Sequence, residues 1–444
     1  MKLKRIRILF AAVLLLTGLN PEAQDRKLLT LDEAIDLGIK NSKQLQINLE
    51  KIKEATAALR EAEDKRLPDA SVSGAYLRLL GSKVDLKRGG GGGGNPNAGP
   101  PSISQAIYGI TNVSFPVFSG GRIKYGIESS RYLEQAARLD AAGNKEEVIQ
   151  NTIEAYANLF KAKSTVKLMQ DNLQQSQQRE KDFINLEKNG LLARNDLLKA
   201  QLQTSNVELS LLDAQNNLQL ANLNMDLMLG LPASTELQTD TTVIERKETS
   251  LAVQDYLQSA ATNRKDMLAI DFRKKAAADG VRITKGQLYP SLQLTGGYIA
   301  ADIPEFLTIT NAVNIGLGIS YNIGSIWKTK SKIEQAEAKV REAELTQSLM
   351  SDNLQLQVNK SYLTLLSSRK KIDVYAKAVE QADENYKIIK NKFDNSLATT
   401  TDLLEADVAQ FQAKLNYTLA KADAFVAYHK LLQTAGTLSD EVKK

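Results

Sequence analysis

Asp402 and Glu405 stand three residues apart in DNSLATTTDLLEA (394–406), which puts both carboxylates on one face of a helix. Carboxylates held close together attract cations and raise each other's pKa. The same spacing also reads as a capping box for the helix that follows, and both readings stand. Other chemistry is scarce. The chain has no Cys and one His, which excludes Cys-based zinc sites, haem attachment, disulfides and thiol catalysis. A Ser-His-Asp arrangement would have one possible base, His429. That residue lies in the helical run DAFVAYHKLLQ (423–433) and reads as a solvated helix-surface position. No catalytic set, metal site or cofactor is expected, and these absences disfavour an envelope enzyme.

The elements that position the carboxylates occur twice. Asn41-Ser-Lys-Gln-Leu45 matches Asn263-Arg-Lys-Asp-Met267 at an offset of 222, as do Pro68, Gly74 and Tyr76 with Pro290, Gly296 and Tyr298. Further on the offset is 206. Tyr156 then matches Tyr362, Asp196-Leu-Leu-Lys-Ala200 matches Asp402-Leu-Leu-Glu-Ala406, and Gly230 matches Gly436. Asp196 is therefore the first-copy equivalent of Asp402. The change of offset falls at the glycine-rich stretch GGGGGGNPNAGPPS (89–102). Two constant offsets across most of the chain indicate duplication.

Each copy reads helix, strand, loop, strand, long helix, turn, helix. The prolines stop a helix where it hands over to a strand. The long helices, about 122–188 and 328–393, carry apolar residues at Ile149, Ile153, Tyr156 and Phe160, and at Val358, Tyr362 and Leu365. This is the spacing of a narrow helix–helix seam. Each would extend roughly 100 Å. Asn41–Leu45 and Asn263–Met267 both read as lying inside helical pattern. Strands are expected at about 69–80, 105–118, 291–301 and 311–323. In the last, Val313, Ile315, Leu317 and Ile319 alternate with Asn314, Gly316, Gly318 and Ser320. Strict period-two alternation over such a length resembles an outer-membrane barrel strand, apolar toward lipid and polar toward a lumen. A half-buried soluble sheet is the alternative.

The N-terminus, MKLKRIRILFAAVLLLTGLNPEAQ, has a basic start, an apolar stretch and a plausible cleavage zone, so residues 1–23 read as a secretory signal peptide. Its loss removes four basic residues and Glu22 from a formal charge of +5, leaving +2, which is no footprint for nucleic acid. With no Cys to lipidate, the exported chain is not expected to be a lipoprotein. The layout is then a first repeat (24–230) with a loop at 81–104, a linker (231–250), a second repeat (251–436) and a short tail (437–444).

Together these features resemble the TolC-type outer-membrane efflux channel family. The carriers are the duplicated order of elements, the helix-to-strand prolines, the junction FSGGRIKYG (118–126) and the paired turns EKNGLLARNDLLKA and DNSLATTTDLLEA. The second junction, IGSIWKTK, lacks the double Gly, and Ser396 stands where Gly is usual. The resemblance implies a mainly α chain with a transmembrane β part. As a homotrimer it would form a twelve-stranded β-barrel continued by a long periplasmic α-helical barrel. Four strands cannot close a barrel, and an open edge in lipid leaves backbone groups unpaired. The implied role is the exit duct of a tripartite efflux or secretion system, in the outer membrane and working with a periplasmic adaptor and an inner-membrane transporter. Segment 231–250 would form part of an equatorial region. Gly190, Leu191 and Leu192, with Ser396, Leu397 and Ala398, would meet the adaptor, and Asp196, Asp402 and Glu405 would line a periplasmic aperture. Val313, Ile315, Leu317 and Ile319 would face outer-membrane lipid. The competing reading is an exported coiled-coil scaffold of the envelope without a pore.

Overall fold

The computed structural model describes residues 26–80, 104–244, 251–304 and 307–441. The expected signal peptide, the glycine-rich loop except Ser104, residues 245–250 of the linker and residues 442–444 of the tail lie outside the described residues. In chain order the elements are β1 (Arg26–Leu29), α1 (Leu31–Asn41), α2 (Lys43–Asp64), β2 (Asp69–Arg78), β3 (Gln105–Phe118), α3 (Arg122–Lys188) and α4 (Arg194–Leu229). There follow β4 (Glu236–Thr239), α5 (Val253–Asn263), α6 (Lys265–Lys285), a 3-10 turn (Gly286–Leu288), β5 (Ser291–Ile303), β6 (Leu307–Ser320), α7 (Ser325–Asp394), α8 (Thr400–Thr434) and α9 (Leu438–Glu441). The order α2-β2-β3-α3-α4 recurs as α6-β5-β6-α7-α8. No described helix is long and apolar enough to cross a membrane.

Two expectations about element boundaries need correction. Asn41–Leu45 and Asn263–Met267 do not lie inside helices; each straddles a break between two. Ser42 (φ −63°, ψ 114°) and Arg264 (φ −61°, ψ 118°) leave the helical region in nearly the same way. The reason lies at the far end of each repeat. Asn41 Nδ2 donates to Leu229 O at 2.6 Å, and Arg264 Nη1 donates to Thr434 O at 3.5 Å. Each break thus supplies a donor to the carbonyl end of the returning helix, whose last residues have no intrahelical partner. β6 is also displaced from the expected 311–323: it begins at Leu307 and stops at Ser320, because Asn322 O accepts from Ser325 N and starts the turn into α7.

The chain divides into two compact units. One comprises the described residues up to Asn48, Asp140–Met267 and those from Met350 on. Its main core gathers Leu29, Ile35, Ile153, Tyr156, Met225 and Leu365 beneath the parallel pair β1–β4. The fully buried Tyr156 is the pin of this region: its hydroxyl lies 3.0 Å from both Leu29 O and Asp240 O. Burial pushes its pKa up to about 12. His429 is buried here too, contrary to the surface position expected. The final turns of α8 bury Phe425, Tyr428, Leu431 and Leu432 around it, and its Nδ1–H donates to Phe425 O at 2.9 Å.

The other unit comprises Leu49–Leu139 and Leu268–Leu349. It holds an antiparallel sheet in the order β2-β3-β5-β6. Pro68 and Pro290 immediately precede β2 and β5. Gly120 (φ 64°) opens the β3-to-α3 junction, and a Cβ there would collide with Gly286 O, so no other residue fits. Gly74 and Gly296 are under no such pressure, since a Cβ at either meets only ordinary contacts. Gly297 is the excluded position, with Thr111 O at 2.5 Å.

Candidate functional site

The sheet is two-faced, and its register shows how. Val313 pairs with Tyr298, Ile315 with Gly296, Leu317 with Leu294 and Ile319 with Leu292. Paired residues project to the same side, and across β5 the same side carries Thr111, Val113 and Phe115 of β3. Ala70 and Val72 of β2 continue it. The four expected lipid-facing residues therefore belong to a continuous apolar face, and each is 69% to 81% exposed. The opposite side of the adjoining rows reads Ser71, Asn112, Gly297 and Asn314, then Asp69, Ser114, Thr295 and Gly316. At the helix end of the sheet Phe118, Tyr289, Tyr321 and Trp327 are all exposed. Exposed aromatics at the margin of an apolar face form an interfacial girdle in barrels. The alternation pattern does not reveal them, because they sit just beyond the strands or at the register shift after Pro116.

The two helical turns in the first unit are near copies. Gly190 (φ 71°) and Ser396 (φ 59°) both take the left-handed conformation. Leu191 N donates to Leu186 O, and Leu397 N to Lys392 O, the long bond of a Schellman cap. Asn189 Nδ2 and Asn395 Nδ2 each donate to the carbonyl four residues back at 2.7 Å. Ser396 thus does the work of the expected glycine. Leu191 and Leu397 project outward, 74% and 76% exposed. Leu192 turns back onto a small core of Phe183, Leu197, Ala200 and Leu403, while Ala398 is half-buried. Phe393, in the same cluster, stacks on Phe183 with ring centroids 5.4 Å apart. The two turns are held together by this apolar cluster.

The three carboxylates differ in what they do locally. Asp402 closes a capping box, but with Thr399 rather than with Glu405. Asp402 N donates to Thr399 Oγ1, while Asp402 Oδ2 accepts from Thr399 N at 2.8 Å and Thr399 Oγ1 at 2.7 Å. These bonds hold its pKa below the ordinary carboxylate value. Asp196 pairs with Lys199 at 3.3 Å, and the same ammonium reaches Thr401 Oγ1 at 3.2 Å. Glu405 is exposed beside Lys199, Leu202 and Val408 in an open groove, and among the described residues it makes no hydrogen bond or ion pair.

The chain matches the family model for outer membrane efflux proteins over residues 34–231 and 256–437, and it belongs to that family. The two matched stretches correspond to the two repeats. Outer membrane protein TolC of Vibrio cholerae is 23% identical over 180 residues, a match spanning 40% of this chain and 40% of that relative. Among solved structures, VceC of Vibrio cholerae superposes with a TM-score of 0.77 at 20% identity, covering 91% of this chain and 96% of that one. The CmeC channel of Campylobacter jejuni gives 0.80 at 16% identity, covering 96% and 93%. The fold is that of the TolC-type outer-membrane channels, as the sequence resemblance implied.

Proposed function

We propose that three copies of the chain form the exit duct of a tripartite efflux or secretion system. The duct passively conducts solutes delivered by an inner-membrane transporter through a periplasmic adaptor to the cell exterior. The observation that carries this reading is the open, two-faced sheet. Among the described residues its edge strands β2 and β6 each pair on one side only, and an unpaired edge cannot be left in lipid. Three copies joined β6 to β2 give twelve strands with no edge, the apolar face outward and the polar rows lining water. A coiled-coil scaffold without a pore has no use for such a sheet. Leu191 and Leu397, the outward leucines of the two turns, are the contacts offered to the adaptor; Gly190 and Ser396 set their geometry. Asp196, Asp402 and Glu405 gather at the periplasmic aperture, where Glu405 is the carboxylate free to act on permeating ions. The test is reconstitution into planar bilayers together with the mass of the detergent-solubilised particle. The expectation is a conducting trimer; a monomer with full strand content would refute the reading.

A further inference from the structure

The polar side of the sheet loses its polarity partway along the strands. Beyond the row Asn112–Gly297–Asn314, where β2 adds Ser73 to the next row on that side and Ala75 to the one after it, strands β3, β5 and β6 supply Ile110–Ile299–Ala312 and then Tyr108–Ala301–Ile309. All six of these residues of β3, β5 and β6 are partly buried. Ile309 reaches the row only because β6 carries a bulge: Ile299 pairs with Ala312, but Ala301 pairs with Ile309. The additional residue lies beside Asn311, whose φ of 57° is rare for a residue other than glycine. With regular pairing Thr310 would lie opposite Ala301, and Ile309 would project from the apolar face. The bulge turns an isoleucine away from the apolar face and a threonine out of the polar one, the opposite of what burial in lipid alone would favour. Bulges re-aim side chains in this way at functional rims.

We propose that Ile110, Ile299 and Ile309 form an apolar collar in the outer half of the conducting lumen and determine its selectivity. This rests on the trimeric channel reading, with the polar side of the sheet turned inward, so that the collar is repeated three times around the pore. An apolar pore lining gives a hydrated ion no substitute for its water. A solute with its own apolar surface loses less there, and gains by covering that lining. The collar therefore favours bulky organic solutes over small hydrated ions.

The experiment compares wild type with Ile110→Ser/Ile299→Ser/Ile309→Ser in planar bilayers, first in potassium chloride and then with tetramethylammonium or tetrabutylammonium chloride. The two organic cations carry the same charge, so carboxylates elsewhere in the pore act on both. They differ in size and apolar surface, and because the serine substitutions widen the pore, a size effect would raise their permeability ratio whereas loss of apolar surface lowers it. The serine variant is expected to raise potassium chloride conductance about twofold. It should also lower the tetrabutylammonium-to-tetramethylammonium permeability ratio about threefold or more. A conducting variant with both quantities unchanged overturns the collar and leaves the channel standing. If the triple variant fails to assemble, Ile299→Ser alone is judged by the same two readings. A wild-type protein that never conducts overturns the channel and the collar with it.

Discussion

Arg179 of α3 and Asp407 of α8 meet at 2.7 Å with both side chains almost fully buried, 8% and 4% exposed. The pair ties the long helix of the first repeat, at its polar run QDNLQQSQQREKD (170–182), to the return helix of the second. Arg179 Nη1 has no hydrogen-bond partner among the described residues, so the guanidinium depends on this one carboxylate. Asp407→Asn leaves a buried cation uncompensated and is expected to destabilise the protein by about 3–5 kcal/mol. Replacing the pair by Arg179→Met with Asp407→Leu is expected to fall close to wild type. Thermal unfolding followed by helical circular dichroism separates the two; equal losses would mean that packing, not charge, matters there.

Asp226 is fully buried near the C-terminus of α4. Its Oδ2 accepts from Asn222 Nδ2 at 2.9 Å. Burial pushes its pKa from the ordinary 3.8 up to about 6. Because the folded state holds the proton more tightly, this group favours folding most at low pH. Its contribution declines between about pH 4 and pH 6 and is lost above that range. The decline is on the order of 2–3 kcal/mol. Asp226→Asn keeps the shape and should remove this slope. Denaturant titrations at several pH values check it, and an unaltered slope in the variant would assign the effect elsewhere.

The carboxylates proposed to line the aperture should separate by role. Glu405→Gln is expected to reduce cation selectivity and block by multivalent cations while leaving the fold intact, because Glu405 bonds to nothing among the described residues. Asp402→Asn should weaken the N-terminus of α8. The cap is present at neutral pH and fades as pH falls through the depressed pKa of Asp402. Reversal potentials and hydrogen exchange at residues 399–403 give the two readouts. Selectivity that follows Asp402 and ignores Glu405 would reverse the assignment.

Substitution across β6 should alternate. Ile315→Lys is expected to cost roughly 2–4 kcal/mol near mid-membrane, and Asn314→Lys much less. Refolding equilibria into lipid vesicles measure both. Similar costs on the two faces would mean that the sheet does not line a barrel.

The duplication, the order of elements, the prolines and the alternation in β6 are local patterns, and they sufficed for the fold class and family. Hydrophobic period reports which side of an element is apolar, whatever lies opposite. Spacing alone does not choose the capping partner of Asp402, since Thr399 and Glu405 both lie three residues from it.

Where several elements converge, the outcome passed to tertiary structure. His429 stands between Tyr428 and Lys430, and helical spacing does not say whether that side of α8 meets water; in the fold it is buried with Phe425, Tyr428 and Leu432. Ser176 and Arg179 occupy the wettest stretch of α3, yet both are buried because another helix lies over them. The helix breaks at Ser42 and Arg264 belong to a pattern that reads as continuous helix. They exist because helix ends far away in sequence need donors for their carbonyls. Ile309 shifts face because one inserted residue changes parity, and only the pairing of β6 with β5 records where that residue sits. Periodicity along a chain is local physics; burial, capping across repeats and strand register depend on which partner arrives.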